Sequence, residues 1–495
     1  MADDEICLRP ATELAQLIRT RQLSSRELLE LYLGRMDRLD PVLNAVVTVD
    51  ADRARADAAR ADQLTAAGDP DAAIGPLHGL PMTVKDAIEV GGIRSTGGSP
   101  ALSDHVPTAD APAVARLRRA GAVIFGKTNV PEWSGDIQTF NPLFGTTNNP
   151  WDPTRTPGGS SGGPAVAVAT GLTAFELGTD IGGSIRIPSS FTGVCGHKPS
   201  FGLVSQRGYL DSVGGGTTDA DINVFGPIAR SVDDLSLLLD VLGGPDTDRA
   251  VAWRLDLPEP RRRDPARFRV GTWLDDPFCP VESSARLLLE EAAGALGRAG
   301  ADVSDARPPI ELAEARRIFD HLLLPAISVS QEAGIGQALA GNHRDWLEMD
   351  RRRAGLRRVW AEWFRDFDAL LCPVMPMLPF PHDQEGTVGD RWVIVNGRST
   401  PQADCLAWTG LVGVAYLPST VVPVGRVGDL PVGIQVVGPY LEDRTPLALA
   451  AHLTELLGGY QPPPMARSGQ TGGEPPTGGP RTTGSAPDPS GSRPV

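Results

Sequence analysis

The sequence predicts an α/β layer protein. Helix-like and strand-like apolar patterns alternate along most of the chain, hydrophobic content is an ordinary 41%, and 495 residues suffice for a sizeable buried core. Length alone allows about three domains.

The elements follow in order. Residues 12–40 read as helical: Ser24, Ser25, Arg26 and Glu27 form a capping box ahead of Leu28, Leu29, Leu31, Tyr32 and Leu39, and Pro41 follows. Residues 50–67 form a second helix rich in Ala, Arg and Asp, with a mostly solvated surface. Pro81 to Val84 reads as a strand ending at Lys85 and Asp86, residues 111–120 as a helix and residues 122–125 as a buried strand. Between residues 158 and 216 glycine is dense, with an apolar stretch at 164–177. Helices are expected at 231–242, 281–298, 309–339 and 446–457, a long arginine-rich one around 351–365, and strands at 369–374, 420–424 and 432–437. No internal repeat is visible. Residues 461–495 contain 9 Pro and 7 Gly with almost no large apolar side chain. Such a stretch buries too little surface to offset its ordering entropy and is expected to be a disordered tail.

Composition closes several doors. A net charge of −15 argues against nucleic acid and anionic membranes as partners. Five cysteines, an odd number without a CxxC pair, argue against a disulfide framework. The acidic start MADDEICLRPATEL lacks a basic-then-apolar leader. The one long uncharged run, 406–425, is interrupted by Pro418 and Pro423 and reads as core. The expectation is a cytoplasmic protein with reduced cysteines. Lysine is scarce: Lys85, Lys127 and Lys198 stand against 43 arginines. Only these three side chains can supply a neutral amine.

Two motif matches fail on context. Gly121 to Thr128 fits the phosphate-loop pattern, but its interior is an apolar strand and Asn129-Val130-Pro131 offers no helix start. Gly158 to Gly162 fits the nucleophile elbow, yet a loop with Pro153 and Pro157 leads into it instead of a strand. Cys195 and His197 are close in sequence but lack a second ligand pair for a metal. Asp86 and Asp180 read as loop-holding groups and Arg186 as a carboxylate partner. Lys127 reads as a structural amine, and Lys198 as a packing or surface residue.

Three pieces remain: Lys85 at a strand end, the glycine-flanked Ser160, and Gly178 to Arg186 containing Ser184. Glycine pairs beside serine allow close backbone approach and free N–H groups. Spacing alone leaves three readings open: an anion nest, an oxyanion hole beside a nucleophilic serine, or a structural glycine-rich loop.

The ordered motifs GLPMTVKD (79–86), GKTN (126–129) with Pro131-Glu132, GGSSGG (158–163) and GTDIGGSIRIPSSFTGVCGHKPS (178–200) resemble the amidase signature family. Ser184 follows Ser160 by 24 residues, in agreement with that family's pattern. Leu417-Pro418-Ser419 and residues 430–438 resemble its C-terminal part, and similarity spans about residues 10–460. The resemblance implies a single large α/β/α sandwich domain with a mixed central sheet over residues 1–460, overriding the three-domain prior.

It also implies hydrolysis of a carboxylic amide C–N bond through a Ser-Ser-Lys triad and an acyl-enzyme. Ser184 would be the nucleophile, Ser160 the bridging serine after a cis peptide bond, and Lys85 the base. The N–H groups of Ile181, Gly182, Gly183 and Ser184 would form the oxyanion hole. No cofactor and no metal are implied. The expected partner is a small-molecule amide, with a homodimer as the assembly entertained. One departure is Pro164 where the family usually has serine, at a position where proline suits a helix's first turn. Two alternatives share the fold: the amidase (glutaminase) subunit of a tRNA-dependent amidotransferase, and a non-catalytic binding protein. Substrate choice is expected to reside in residues 134–144, 206–221 and 380–399, with Trp133, Phe140 and Trp392 as candidate pocket walls.

Overall fold

The computed structural model describes residues 3–68, 74–246, 248–331 and 333–467. Eleven strands form two sheets. A three-stranded sheet contains β1 (Val46–Val49), β2 (Pro81–Lys85) and β3 (Val123–Thr128), in the order β1-β3-β2. The large sheet is built from β4 (Glu176–Asp180), β5 (Cys195–Lys198), β6 (Val224–Ala229), β7 (Arg269–Thr272), β8 (Asp302–Ser304), β9 (Ala369–Pro373), β10 (Ser419–Val427) and β11 (Leu430–Val437). Its order is β8-β7-β9-β11-β10-β5-β6-β4. Strands β8, β7 and β9 run parallel and the remaining pairs antiparallel, so the sheet is mixed.

Alternation along β10 fixes which face each neighbour covers. Val421 lies beside Ser190 of helix Arg186–Thr192 across Gly433. Val422 belongs to the other core, with Leu447, Leu449 and Leu453 of helix Arg444–Leu457 and Leu289 of helix Ser283–Arg298. Helices thus cover both faces of the sheet, giving the expected α/β/α layers. Among the described residues no helix is long and apolar enough to cross a membrane. The 406–425 run becomes helix Ala407–Gly413 and most of β10, both deep in the core.

Local chemistry explains where the elements break. The predicted 12–40 helix is two, Ala11–Arg19 and Ser25–Leu43. The capping box at Ser24 is a start signal, so it divides the run. Ser24 Oγ accepts from Glu27 N–H at 3.0 Å, and the Glu27 carboxylate accepts from Ser24 N–H at 2.8 Å. Pro41 lies inside this helix's last turn, not after it. The predicted 309–339 helix ends at Ile327, shortly after Pro325, and resumes as Ala333–Ala340. Pro464–Arg467, assigned from composition to the tail, forms a 3₁₀ turn whose Ala466 carbonyl accepts from buried Arg35. Residues 468–495 lie outside the described residues.

The seam between the sheets positions the chemistry. Strand β2 lies beside the β4 edge, joined through side chains: Thr83 N–H donates to Thr173 Oγ1 at 3.1 Å, and Thr83 Oγ1 donates to Glu176. Lys85 ends β2, and Thr179 and Asp180 end β4. Ser160 precedes helix Gly162–Ala169, and Ser184 precedes helix Arg186–Thr192. Replacing Ser24 with Ala removes an exposed cap far from this seam. Urea denaturation should show a loss of about 1 kcal/mol, with turnover unchanged.

Candidate active site

Lys85 is fully buried, and its Nζ lies 2.7 Å from Ser160 Oγ and 2.7 Å from Thr179 Oγ1. Burial pushes its amine well below the ordinary lysine value, against the opposing fields of Asp180 and Glu176. Glu176 responds to the same interior: burial raises its carboxyl to about 8, so it holds a proton at neutral pH. Thr179 is the site residue that sequence reasoning passed over. It sits inside the GTDIGGS segment, but only the packing of β2 against β4 brings its hydroxyl to the amine.

The Gly159–Ser160 peptide bond is cis. Ser160 is fully buried, while Ser184, at 7% exposure, is the more accessible serine. Ser161 N–H donates to Ser184 O at 3.1 Å and ties the two serine loops together. Ser184 Oγ has no hydrogen-bond partner among the described residues. Its loop hangs on Asp180, which accepts from Gly183 N–H at 2.9 Å and Ile185 N–H at 3.1 Å. Arg186 grips the same carboxylate through Nη2 at 2.8 Å and Nε at 3.0 Å, both side chains being fully buried. Burial works against the Asp180 anion, but Arg186 outweighs it and holds the carboxyl below the ordinary aspartate range.

Gly183 has φ +121°, and a Cβ there would meet Ile187 and Thr409 side-chain carbons at 2.8 Å. Only glycine suits that position. Its N–H points at Asp180, which leaves Ile181, Gly182 and Ser184 as the amides without a protein partner among the described residues. Thr409 Oγ1 donates to Gly182 O at 2.7 Å, which restrains the loop from the outside.

The other residues singled out in the sequence have structural partners. Arg186 pairs with Asp180 as anticipated. Asp86 accepts from Thr96 N–H at 3.1 Å, and Lys127 Nζ donates to Ser95 Oγ at 2.9 Å and to the Ile88 carbonyl. Lys127 lies inside β3 and no α-helix starts at it, so the phosphate-loop geometry is absent there. Burial lowers the Lys127 amine to about 8 and the Lys198 amine to about 7, with Arg186 adding to the effect on Lys198. Lys198 Nζ donates to Pro199 O at 2.9 Å inside the core. His197 contacts Thr420 and Asp443, and no metal-competent cluster occurs among the described residues. Pro164 sits in the first turn of its helix.

Of the three aromatics offered as pocket walls, Trp133 is half-buried against Gly97. Trp392 is 59% exposed on a hairpin, and Phe140 lies under the Arg391 guanidinium at 5.6 Å. The aromatic beside the Ser184 loop is Phe319, whose ring carbon comes within 3.8 Å of a Cβ placed on Gly182. It packs in one apolar cluster with Ile181, Ile137, Ile222 and Phe380. Phe319 belongs to a helix without any motif, so only the packing reveals it.

The amidase family model matches residues 27–319 and 311–447, nearly the whole described chain. The chain belongs to the amidase family. The glutamyl-tRNA(Gln) amidotransferase A-chain component of Heliobacterium modesticaldum is 30% identical over 91% of this chain and 97% of its own length. Indoleacetamide hydrolase of Bradyrhizobium diazoefficiens is 32% identical over 89% of this chain and 85% of its own. A bacterial aryl acylamidase of the amidase signature enzymes superposes with a TM-score of 0.79 at 26% identity, covering 91% of this chain and 96% of that one. As an amidase, the chain is an enzyme of amide C–N bond cleavage.

Replacing Arg186 with Met would leave Asp180 buried without its countercharge. A loss of about 3–5 kcal/mol is expected, measurable as a lowered urea midpoint.

Proposed function

We propose that this amidase hydrolyses a small carboxylic amide through Lys85, Ser160 and Ser184. The observation that carries the reading is the 2.7 Å contact between Ser160 Oγ and a fully buried amine whose pKa burial lowers well below the ordinary lysine value. Neutral Lys85 accepts the Ser160 proton while Ser160 accepts the Ser184 proton, and Ser184 Oγ attacks the amide carbonyl. The free N–H groups of Ile181, Gly182 and Ser184 stabilise the developing oxyanion, with Gly183 N–H holding the loop to Asp180. The relay then runs backward: Lys85 returns a proton through Ser160 to the leaving amine, the C–N bond breaks, and an acyl-Ser184 ester remains. Water attacks the ester with the same groups as base, regenerating Ser184 and releasing the acid. The apolar cluster around Ile181 and Phe319 favours an uncharged acyl or aryl group.

A second reading rests on the amidotransferase relatives: the same site releasing ammonia from glutamine for another protein of a complex. Co-purification of the endogenous protein with such a partner, together with glutamine as the preferred amide in a panel of aliphatic, aryl and peptide amides, would favour it.

A fluorophosphonate probe should label Ser184 in the native protein and lose that label in Ser184→Ala; undiminished labelling of the variant would sink the assignment. Lys85→Arg places a guanidinium that stays protonated at neutral pH and so cannot accept the Ser160 proton. It should reduce kcat/KM by at least about a hundredfold while circular dichroism stays native. In the native enzyme kcat/KM should rise with pH as Lys85 loses its proton, along a limb well below the ordinary 10.5. A limb near 10.5 would contradict the buried neutral base.

A further inference from the structure

Arg391 lies outside every motif, yet its side chain is 2% exposed and all of its donor nitrogens are engaged. Nη1 and Nη2 grip the Asp136 carboxylate at 3.0 and 2.7 Å. Nη2 also donates to Gly386 O at 2.8 Å, Nε to Glu385 O at 3.0 Å, and Nη1 to Gln402 Oε1 at 3.4 Å. This fork joins two distant stretches of chain at a buried point, which a point-charge ammonium cannot reproduce.

What Asp136 supports is the serine loop. The Asp136 carboxylate accepts from Gln138 N–H at 3.0 Å and shapes the turn between them. The backbone of that turn lies flat against Gly159: a Cβ there would come within 2.6–2.8 Å of Gln138 O, Asp136 O and Gln138 N. Next along, Thr139 Oγ1 donates to Gly158 O at 2.9 Å and accepts from Gly162 N–H at 3.1 Å. Residues 136–139 therefore brace both sides of Ser160.

The late segment is fastened to this brace and to the stretch leading into the serine loop. Gln138 donates through Nε2 to Asp383 O and accepts from Asp383 N–H at 3.1 Å. Arg155 Nη1 donates to Pro379 O at 2.7 Å, and Thr156 N–H to Phe380 O at 3.0 Å. Phe380 itself enters the apolar cluster beside Ile181.

We infer that Arg391 is a positioning residue for Ser160: residues 379–402 are a cover seated on the 136–139 brace, and the Arg391–Asp136 fork latches it. The inference rests on the proposed reaction, in which Ser160 must align with Lys85 and Ser184 together. Loosening the latch lets the brace shift against Gly159. A sub-ångström change in the bridging hydroxyl then slows proton transfer without removing any group that touches the amide.

The test compares Arg391→Lys and Asp136→Asn, singly and together, with Asp368→Asn. Asp368 is a buried carboxylate paired with Arg269 away from the serine loop and serves as a control for general destabilisation. Measured for each are kcat and KM on an amide turned over by the native enzyme, the rate and end-point of fluorophosphonate labelling, and Tm. The latch variants should reach a full labelling end-point with kcat and labelling rate down about tenfold and KM within about threefold. The double variant should be no slower than the slower single one, since both break one fork. Asp368→Asn should lose Tm while keeping kcat within about twofold.

Should a latch variant fail to fold, Gln138→Leu, which cuts the tie to Asp383 but spares the ion pair, should lower kcat in the same direction. Folded latch variants with native kcat and labelling rate overturn the inference. Absence of Ser184 labelling in the native enzyme overturns the underlying reaction instead, so the two failures are separable.

Discussion

An amine serves as a base only while it is neutral, and the interior around Lys85 favours that form. Removing the group from water supplies the main push. The two carboxyl groups close enough to oppose it are each restrained in a different way. Burial keeps Glu176 protonated up to about 8, so at neutral pH it offers no anion. Asp180 is ionised, but Arg186 faces it with two hydrogen bonds and offsets its field at the amine.

The same Asp180–Arg186 pair has a mechanical role. Its carboxylate collects backbone N–H groups of the turn between β4 and the next helix, which sets the orientation of the amides around Ser184. Arg186 extends the network to Thr409 O and Gln435 Oε1, both at 2.9 Å. The turn carrying Ser184 is thus anchored to the central strand β11 and to the helix that restrains Gly182. Charge and geometry are coupled here, because the cation that quiets the field also fixes the loop. Buried ion pairs are costly to assemble, and this one is justified by two simultaneous roles.

Legibility in the sequence followed the range of the interactions. Glycine-rich turns and a strand-end lysine marked Lys85, Ser160 and Ser184 as candidates, and their roles were read from the family resemblance, whereas the capping box at Ser24 was readable from local spacing alone. The short strands β5 and β6 were missed: CGHK and VFGPIA have glycine or proline where an alternating pattern is sought, and their burial comes from neighbouring strands. Thr179 was visible as a letter but not as a partner of the amine. Phe319 and the Arg391–Asp136 fork left no trace, since contacts between residues so far apart depend on the folded topology and not on any local period. Trp392 lies exposed on its hairpin, a placement that its residue type alone does not foretell.

All three lysines of this chain lie in its interior, so no lysine amine is presented at the surface. Guanidinium groups are inert toward acylating and aldehyde reagents that attack amines. Cross-linkers, succinimidyl dyes and reducing sugars therefore meet no lysine on the folded surface, and the folded enzyme should resist glycation at its side chains. An amine reagent that does modify a lysine in the native state has entered the protein or caught it partly open. Side-chain amine acylation thereby becomes a probe of opening, with each of the three lysines reporting on its own part of the core.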